Sequence, residues 1–131
     1  MPDYGNKHVY LYSVVADSGI KNEPCFPIFE FIESAHDVAT ICSALTYFKL
    51  KSRDLLEIPD YIVMDCSWAF MHAVSECFNG FSLATTLSKQ WQEIIEEKDI
   101  LKTKIILCCN HFISNMSKKV SKLTTSKKVK K

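Results

Sequence analysis

Glycine and proline are scarce in this sequence, with three Gly and four Pro among 131 residues. So few chain breakers leave little room for long flexible linkers. The scattered glycines also exclude the glycine-rich loops that hold phosphates in P-loop and dinucleotide-binding proteins. No apolar run approaches the length of a membrane span, and no apolar run with basic flanks marks a secretory signal. We therefore expect no membrane partner.

The remaining composition is that of one ordinary globular domain. Apolar residues make up 47% and charged residues 24%, which excludes a disordered or collagen-like chain. The net charge of +1 conceals an uneven distribution, because residues 1–117 hold all fifteen acids and nine of the sixteen Lys and Arg. Residues 118–131 hold seven Lys and no acid. We predict an acidic folded body over residues 1–117 and a lysine-rich tail over residues 118–131.

The six cysteines show no CxxC spacing, and no secretory signal accompanies them. Such cysteines are expected to be reduced thiols rather than a disulfide framework. Most lie inside apolar runs, where cysteine behaves as a small buried hydrophobe. We apply this interpretation to Cys25, Cys42, Cys66, Cys77, Cys108 and Cys109.

Hydrophobic periodicity predicts the element order β, β, α, β, α, α, β, α. The first strand, at residues 8–16, is apolar on both faces and should be covered on both sides. A turn leads to a second strand at 27–33, and a capping box beginning at Ser34 predicts a helix over 35–49. These elements predict an α/β fold in which a hairpin enters a sheet that continues by crossovers.

The second half of the chain repeats the alternation of strand and helix. Short buried strands are predicted at 60–65 and 104–109, and Ser67 and Ser82 are positioned to start helices. The first of these helices should end at Asn79-Gly80. Residues at helical spacing predict three buried apolar faces: Phe70, Ala73, Val74, Cys77 and Phe78; Leu83, Leu87, Trp91, Ile94 and Ile95; and Phe112, Met116, Val120 and Leu123.

Asp65 is the first candidate site residue, because it closes an apolar strand. Ligands bind at this edge in open α/β sheets, and a carboxylate there can hold a divalent cation. A two-metal site requires two or three converging carboxylates. The structural alternative is that Asp65 caps the following helix.

Cys108 and His111 form a Cys-x-x-His pair between a strand and a helix. Two ligands are half of a tetrahedral zinc site, and only His36, Cys66 and His72 are available to complete it, none at finger-like spacing. The alternative places Cys108 in the core and His111 in support of the last helix. A nucleophile pair of Cys66 and His72 is disfavoured, because six helical positions place them nearly on opposite sides.

The lysine-rich tail is the third candidate. Its lysines can attract phosphates or resemble a nuclear-localisation patch, and the alternative is a solvated, frayed terminus. The acidic body argues against strong DNA binding by the folded part alone. If the tail does contact nucleic acid, the residues expected to do so are Lys118, Lys119, Lys122, Lys127, Lys128, Lys130 and Lys131.

The central run PDYIVMDCSWAFMHAVSECFNGFSLATTL resembles the strand and helix around the second catalytic Asp of DDE-type transposase-derived proteins. The upstream hairpin and helix support the likeness. Downstream, LCCNHFI resembles the Cys/Asp-x-x-His motif of Mutator-like and hobo/Activator-like transposases. The likeness covers residues 8–120. It implies a ribonuclease H-like fold in which three carboxylates bind two Mg²⁺ ions for strand cleavage and transfer.

By this resemblance, Asp65 matches the second carboxylate and metal ligand, and Cys108 and His111 match the Cys-x-x-His pair. The sequence departs from the family at the other two carboxylates. In the family, the first carboxylate lies on a strand that precedes the strand beginning at His8. Residues 1–7 are neither apolar enough nor numerous enough to form that strand. The third is a Glu on a later helix, and no Asp or Glu follows His111. We therefore expect a partial ribonuclease H-like mixed sheet flanked by helices and lacking its first strand.

The functional expectation is a domesticated or degenerate transposase fragment, inactive by itself and without a cofactor, in the nucleus rather than the cytoplasm. One alternative is a subunit whose two-metal site is completed by a partner chain. Another is an intracellular interaction module whose sheet edge pairs with a partner strand. Because strand edges and apolar faces lack covers, the isolated chain should be poorly soluble or self-associated.

Overall fold

The computed structural model describes residues 8–17, 19–54 and 57–127. Its mixed α/β element order is the predicted one. The chain divides into two compact units, Met1–Glu57 and Ile58–Lys131. The elements are β1 (Tyr10–Ala16), β2 (Phe26–Glu33), α1 (Val38–Ser52), β3 (Tyr61–Met64), α2 (Trp68–Val74) with a π-helical continuation (Ser75–Asn79), α3 (Leu83–Glu96), β4 (Lys104–Leu107) and α4 (Cys109–Lys127).

The first unit is an antiparallel hairpin followed by one helix. Residues of β1 pair in order with residues of β2 until a bulge, where Val14 pairs with Phe29 and Val15 with Pro27. Proline has no N–H to donate to a ladder, so it fits at such an irregularity. Alternate β1 residues are exposed, among them Leu11 and Val15. Coverage of both β1 faces was therefore a wrong prediction for the described chain.

Aromatic rings cover the other face of the hairpin. The rings of Tyr12 and Phe31 stack at 4.6 Å, and Phe29 stacks on Phe48 of α1 at 4.9 Å. His36 lies 5.3 Å from Tyr10 and shares a hydrogen bond with the Tyr12 hydroxyl. Burial, followed by the nearby Tyr10 and acidic groups, raises the pKa of Tyr12. This cluster gives the small unit an apolar core together with the buried Ile41 and Leu45.

Helix α1 begins three residues later than predicted. Its N-cap is Asp37, whose Oδ1 accepts a hydrogen bond from the Thr40 N–H at 2.8 Å. This hydrogen bond also lowers the pKa of Asp37. The predicted capping box at Ser34 is wrong, because the Asp37 carboxylate is itself positioned to satisfy the first free helical N–H groups.

The second unit joins two parallel strands by a helical crossover. Tyr61 pairs with Lys104 and Met64 with Leu107, while α2 and α3 carry the chain between the strands. The described strands thus form two separate two-stranded sheets, β1–β2 and β3–β4. The prediction was one mixed sheet. Within the described ranges no further strand pairs with either sheet, so the outer side of each strand has no partner strand.

Two side-chain amides occupy the outer edge of β4, where a neighbouring strand would otherwise pair. Asn79 accepts from the Thr103 N–H at 3.1 Å and donates to the Thr103 carbonyl at 2.9 Å. Gln90 does the same for Ile105, at 3.1 and 2.9 Å. A primary amide reproduces the donor and acceptor of a backbone peptide. These amides satisfy the backbone polar groups of alternate residues.

Helix α3 packs with an unexpected face inward. Leu83 is buried as predicted, but the other buried positions are Thr86 and Glu93, with Gln90 half-buried. This stripe is offset by one position from the predicted apolar one, because the polar side chains serve backbone groups of the sheet and loop. The predicted face is therefore wrong for its exposed members, Leu87, Trp91, Ile94 and Ile95.

The core of this unit comes mainly from α2 and its π-helical continuation. Ala73, Val74, Cys77 and Phe78 are buried as predicted, whereas Phe70 of the same predicted face is only half-buried. Gly80 ends the segment in the left-handed region at φ 71°. The short strands are only partly buried, because alternate side chains face outward. Their complete burial was therefore a wrong prediction, as the exposed side chains show: Tyr61, Val63 and Ile106.

Helix α4 continues through the predicted boundary between residues 117 and 118 and reaches Lys127. The tail was expected to trail off there, but its described part continues the helix. The predicted burial of the apolar face of α4 is wrong for Phe112, Met116 and Val120, which are exposed. The side chain of Leu123, the fourth predicted residue, lies outside the description. Among the described helices, none combines the length and apolar character that crossing a bilayer requires. The division at 117/118 as a domain boundary stays a prediction.

Candidate functional site

The carboxyl ends of the two parallel strands bring two predicted site residues to one edge. Cys108 directly follows β4 and donates its backbone N–H to the Met64 carbonyl at 2.7 Å. Asp65 is the next residue after Met64, so the register places it beside Cys108. The carboxyl ends of parallel strands are where α/β proteins gather their ligands. This edge is the candidate site.

Both helices that leave this edge begin within it. Ser67 caps α2 by accepting a hydrogen bond from the Phe70 N–H at 3.5 Å. Cys108 accepts the first helical hydrogen bond of α4, from Phe112 N–H at 3.0 Å, which places His111 in the first turn. Because Ser67 is the cap, the structural alternative for Asp65 is wrong: its side chain caps no described helix.

The site does not have the ligands of a metal centre. Asp65 and His111 are exposed, and Cys108 is half-buried. Across residues 8–17, 19–54 and 57–127, no group of three or more His, Cys, Asp or Glu residues could hold a metal ion. Mg²⁺ prefers several oxygen ligands including carboxylates, and zinc requires about four ligands. The described residues at this edge therefore do not fit the pair of magnesium ions that the resemblance implies.

The other residues considered for zinc binding or nucleophilic chemistry contact aromatic rings or differ in burial. The His36 ring contacts Tyr10 and Tyr12 in the first unit. The ring of His72 lies 6.2 Å from Trp68, tilted against it. Only Cys77 is buried; Cys25 and Cys109 are exposed, and the other three are half-buried. No disulfide joins the six cysteines, all of which are described, and their predicted burial is wrong for most of them.

The lysines predicted to contact nucleic acid divide between described and undescribed parts. Lys118, Lys119 and Lys122 are exposed on α4. Lys127 is the last residue of that helix. The remaining three predicted contacts lie outside the described residues: Lys128, Lys130 and Lys131. Lys118, Lys119 and Lys122 thus give the described part of α4 an exposed basic surface beyond the candidate edge.

A shallow pocket of about 340 Å³ lies at the opposite, amino end of the parallel strands. The Lys104 ammonium there contacts Asp99 at 2.6 Å and lies 5.5 Å from the centre of the Tyr61 ring. The hydrogen bond between Lys104 and Asp99 raises the pKa of Lys104 and lowers the pKa of Asp99. Asp99 is largely exposed, so solvent weakens this ion pair. The charged pair in this pocket is thus a solvent-exposed contact between a loop and the start of β4, and we do not assign the pocket as a reaction site.

Sequence reasoning missed the polar groups that position β4. Glu93 is buried, and its Oε1 accepts hydrogen bonds from Ile100 N–H at 2.5 Å and Leu101 N–H at 2.6 Å. Gln90 and Asn79 hold the strand itself. The sequence feature that could have predicted this buried face is the helical spacing of Thr86, Gln90 and Glu93, next to the longer apolar stripe of α3.

Comparison with known proteins finds a transposable-element relative. The chain is 28% identical over 120 residues to the 120.7 kDa protein in NOF-FB transposable element from Drosophila melanogaster. This alignment covers 90% of the chain but only 11% of that protein. No protein-family model matches the chain. No solved structure matches it either. The chain is thus similar to a short part of a transposable-element protein.

Proposed function

We propose that this chain derives from a DDE-type transposase with a ribonuclease H-like core. The observation that carries the proposal is the placement of Asp65 beside Cys108, at the carboxyl edge of parallel strands, in a chain similar to a transposable-element protein. That edge is the place at which such a carboxylate would serve catalysis. In this proposal Asp65 is a vestigial second carboxylate, and Cys108 and His111 are the remnant of the Cys-x-x-His pair.

The same proposal makes the chain inactive by itself, because one carboxylate cannot assemble a two-metal site. We expect the purified chain to leave supercoiled plasmid DNA intact in Mg²⁺ or Mn²⁺. The Asp65→Ala variant should give the same background. The measurement is the conversion of supercoiled to nicked circles, followed over time on a gel.

The matched control for this assay is Asp60→Ala, an exposed carboxylate just before β3. Nicking that requires the metal, disappears in Asp65→Ala and persists in Asp60→Ala would contradict inactivity. It would instead support the alternative in which Asp65 is a working metal ligand. Stimulation of such nicking by an added partner chain would favour the shared two-metal site.

We further propose nuclear localisation and weak DNA contact through the lysines of α4 and the tail. Phosphate contacts release counterions, so affinity should fall on the order of 10³-fold between about 50 and about 200 mM salt if six or more lysines engage. Fluorescence anisotropy with a labelled duplex measures this dependence. Removal of residues 118–131 should abolish binding.

The control for DNA binding keeps the tail and neutralises two exposed lysines of the first unit, Lys21→Gln and Lys51→Gln. This variant should bind like the wild type. Binding that survives removal of residues 118–131, or that is insensitive to salt, would refute contact through the tail.

A second candidate function, strand pairing with a partner, has one observation in its favour. Tyr61 and Val63 alternate with the β3 residues that bond to β4, so their backbone groups point to the outer edge. Within the described part of the chain, no residue bonds to these groups. An extended segment could add there as a strand, and its binding should change little with salt.

A further inference from the structure

The junction between Asn79 and Gly80, where the π-helical segment ends, is chemically labile. Asparagine is a thermolabile residue, because the backbone nitrogen of the next residue can attack its side-chain carboxamide. Glycine shields that nitrogen least, since it has no Cβ. The chain has five asparagines, and Asn79 alone is followed by glycine. Gly80 is exposed, so water and base reach this junction from solvent.

The folded chain holds both reacting groups in hydrogen bonds. The Asn79 carboxamide donates to the Thr103 carbonyl at 2.9 Å and accepts from the Thr103 N–H at 3.1 Å. The Gly80 nitrogen is the nucleophile, and its N–H donates to the Glu76 carbonyl at 3.1 Å. Attack therefore requires the end of the π-helical segment to unwind and the carboxamide to leave Thr103. Local opening of this kind limits such chemistry in a folded protein.

We propose that Asn79 is a site of spontaneous deamidation that the native fold protects and that unfolding exposes. In the first step the Gly80 nitrogen loses its proton and bonds to Cγ of Asn79, while Nδ2 leaves with a proton as ammonia. The product is a cyclic succinimide. Water, the only co-reactant, then opens this ring. Breakage of the bond from nitrogen to Cγ gives aspartate, and breakage of the bond from nitrogen to the main-chain carbonyl carbon gives isoaspartate.

Deamidation removes half of the contact between position 79 and the edge of β4. A carboxylate still accepts from the Thr103 N–H, but it has no hydrogen to donate to the Thr103 carbonyl. Thr103 is fully buried, so its carbonyl oxygen would face a negatively charged oxygen away from water. Isoaspartate also lengthens the main chain at this point. A chain that has deamidated while unfolded should therefore refold to a less stable state, and the change is permanent.

Peptide mapping of the full chain by mass spectrometry tests the protection. In mildly alkaline solution, Asn79 should convert at least about tenfold faster in concentrated urea than in native buffer, because opening limits the native reaction. Asn110, which is exposed and followed by His111, is the internal control and should remain largely unconverted in both. Gly80→Ala should slow the conversion in urea, where native structure plays no part, because its methyl group shields the attacking nitrogen.

The variant Asn79→Asp tests the consequence separately from the chemistry. Its urea midpoint should lie below that of the wild type, whereas Asn110→Asp, the same exchange at an exposed position, should leave the midpoint nearly unchanged. Failure of Asn79→Asp to fold is the extreme of the expected loss, and the mapping of the wild-type chain decides the site independently. Equal conversion of Asn79 in urea and native buffer overturns the proposal. So does predominant conversion at another asparagine, or an Asn79→Asp midpoint equal to that of the wild type.

Discussion

Replacing Glu93 with Ala should lower the free energy of unfolding by about 2–4 kcal/mol, because two buried backbone donors lose their acceptor. In the wild type, Oε1 accepts from Ile100 at 2.5 Å and from Leu101 at 2.6 Å. The substitution leaves both N–H groups without a partner and opens space beside α3. Urea unfolding followed by circular dichroism measures the loss.

Two matched variants separate this cause from a general effect of charge. Glu93→Gln keeps a carbonyl acceptor and should cost only about 1 kcal/mol. Glu96→Ala removes an exposed carboxylate one turn away and should change stability by less than about 0.5 kcal/mol. A Glu93→Ala loss no larger than the Glu96→Ala loss would show that the loop from α3 to β4 does not depend on this side chain.

The element order was predictable because it depends on local signals. Ser67 and Ser82 cap their helices as predicted, and Gly80 ends the π-helical segment in a conformation that glycine adopts without strain. The cap of α1 was missed because Ser34 and Asp37 both suit that role, and only the backbone geometry at Asp37 decides between them.

The face that α3 buries was not predictable from apolar spacing. Apolar periodicity identifies the most hydrophobic face of α3. The face that is buried is instead the one whose Gln90 and Glu93 form hydrogen bonds to backbone groups of β4 and of the loop before it. The partners of these side chains, Ile100, Leu101 and Ile105, follow α3 in the sequence. The polar spacing on α3 gives no sign of them until the strand and loop are placed beside the helix. The candidate site was more predictable, because a carboxylate after one strand and a cysteine after the next meet wherever those strands pair in parallel.

The two faces of α3 predict opposite results for the same substitution on one helix. Leu83→Ala should destabilise the chain by about 2–5 kcal/mol, because Leu83 is 2% exposed and its truncation leaves a cavity. Leu87→Ala removes an identical side chain from the exposed stripe and should cost less than about 1 kcal/mol. Urea unfolding at protein concentrations too low for self-association measures both.

The two variants together distinguish the buried face of α3 from its exposed face. Because Leu87 is exposed, Leu87→Ala should leave the unfolding midpoint of the dilute protein nearly unchanged. Leu83→Ala should lower the midpoint clearly, because the Leu83 side chain is buried in the core. Equal destabilisation by both variants would mean that the apolar periodicity of α3, rather than its polar stripe, identifies the buried face.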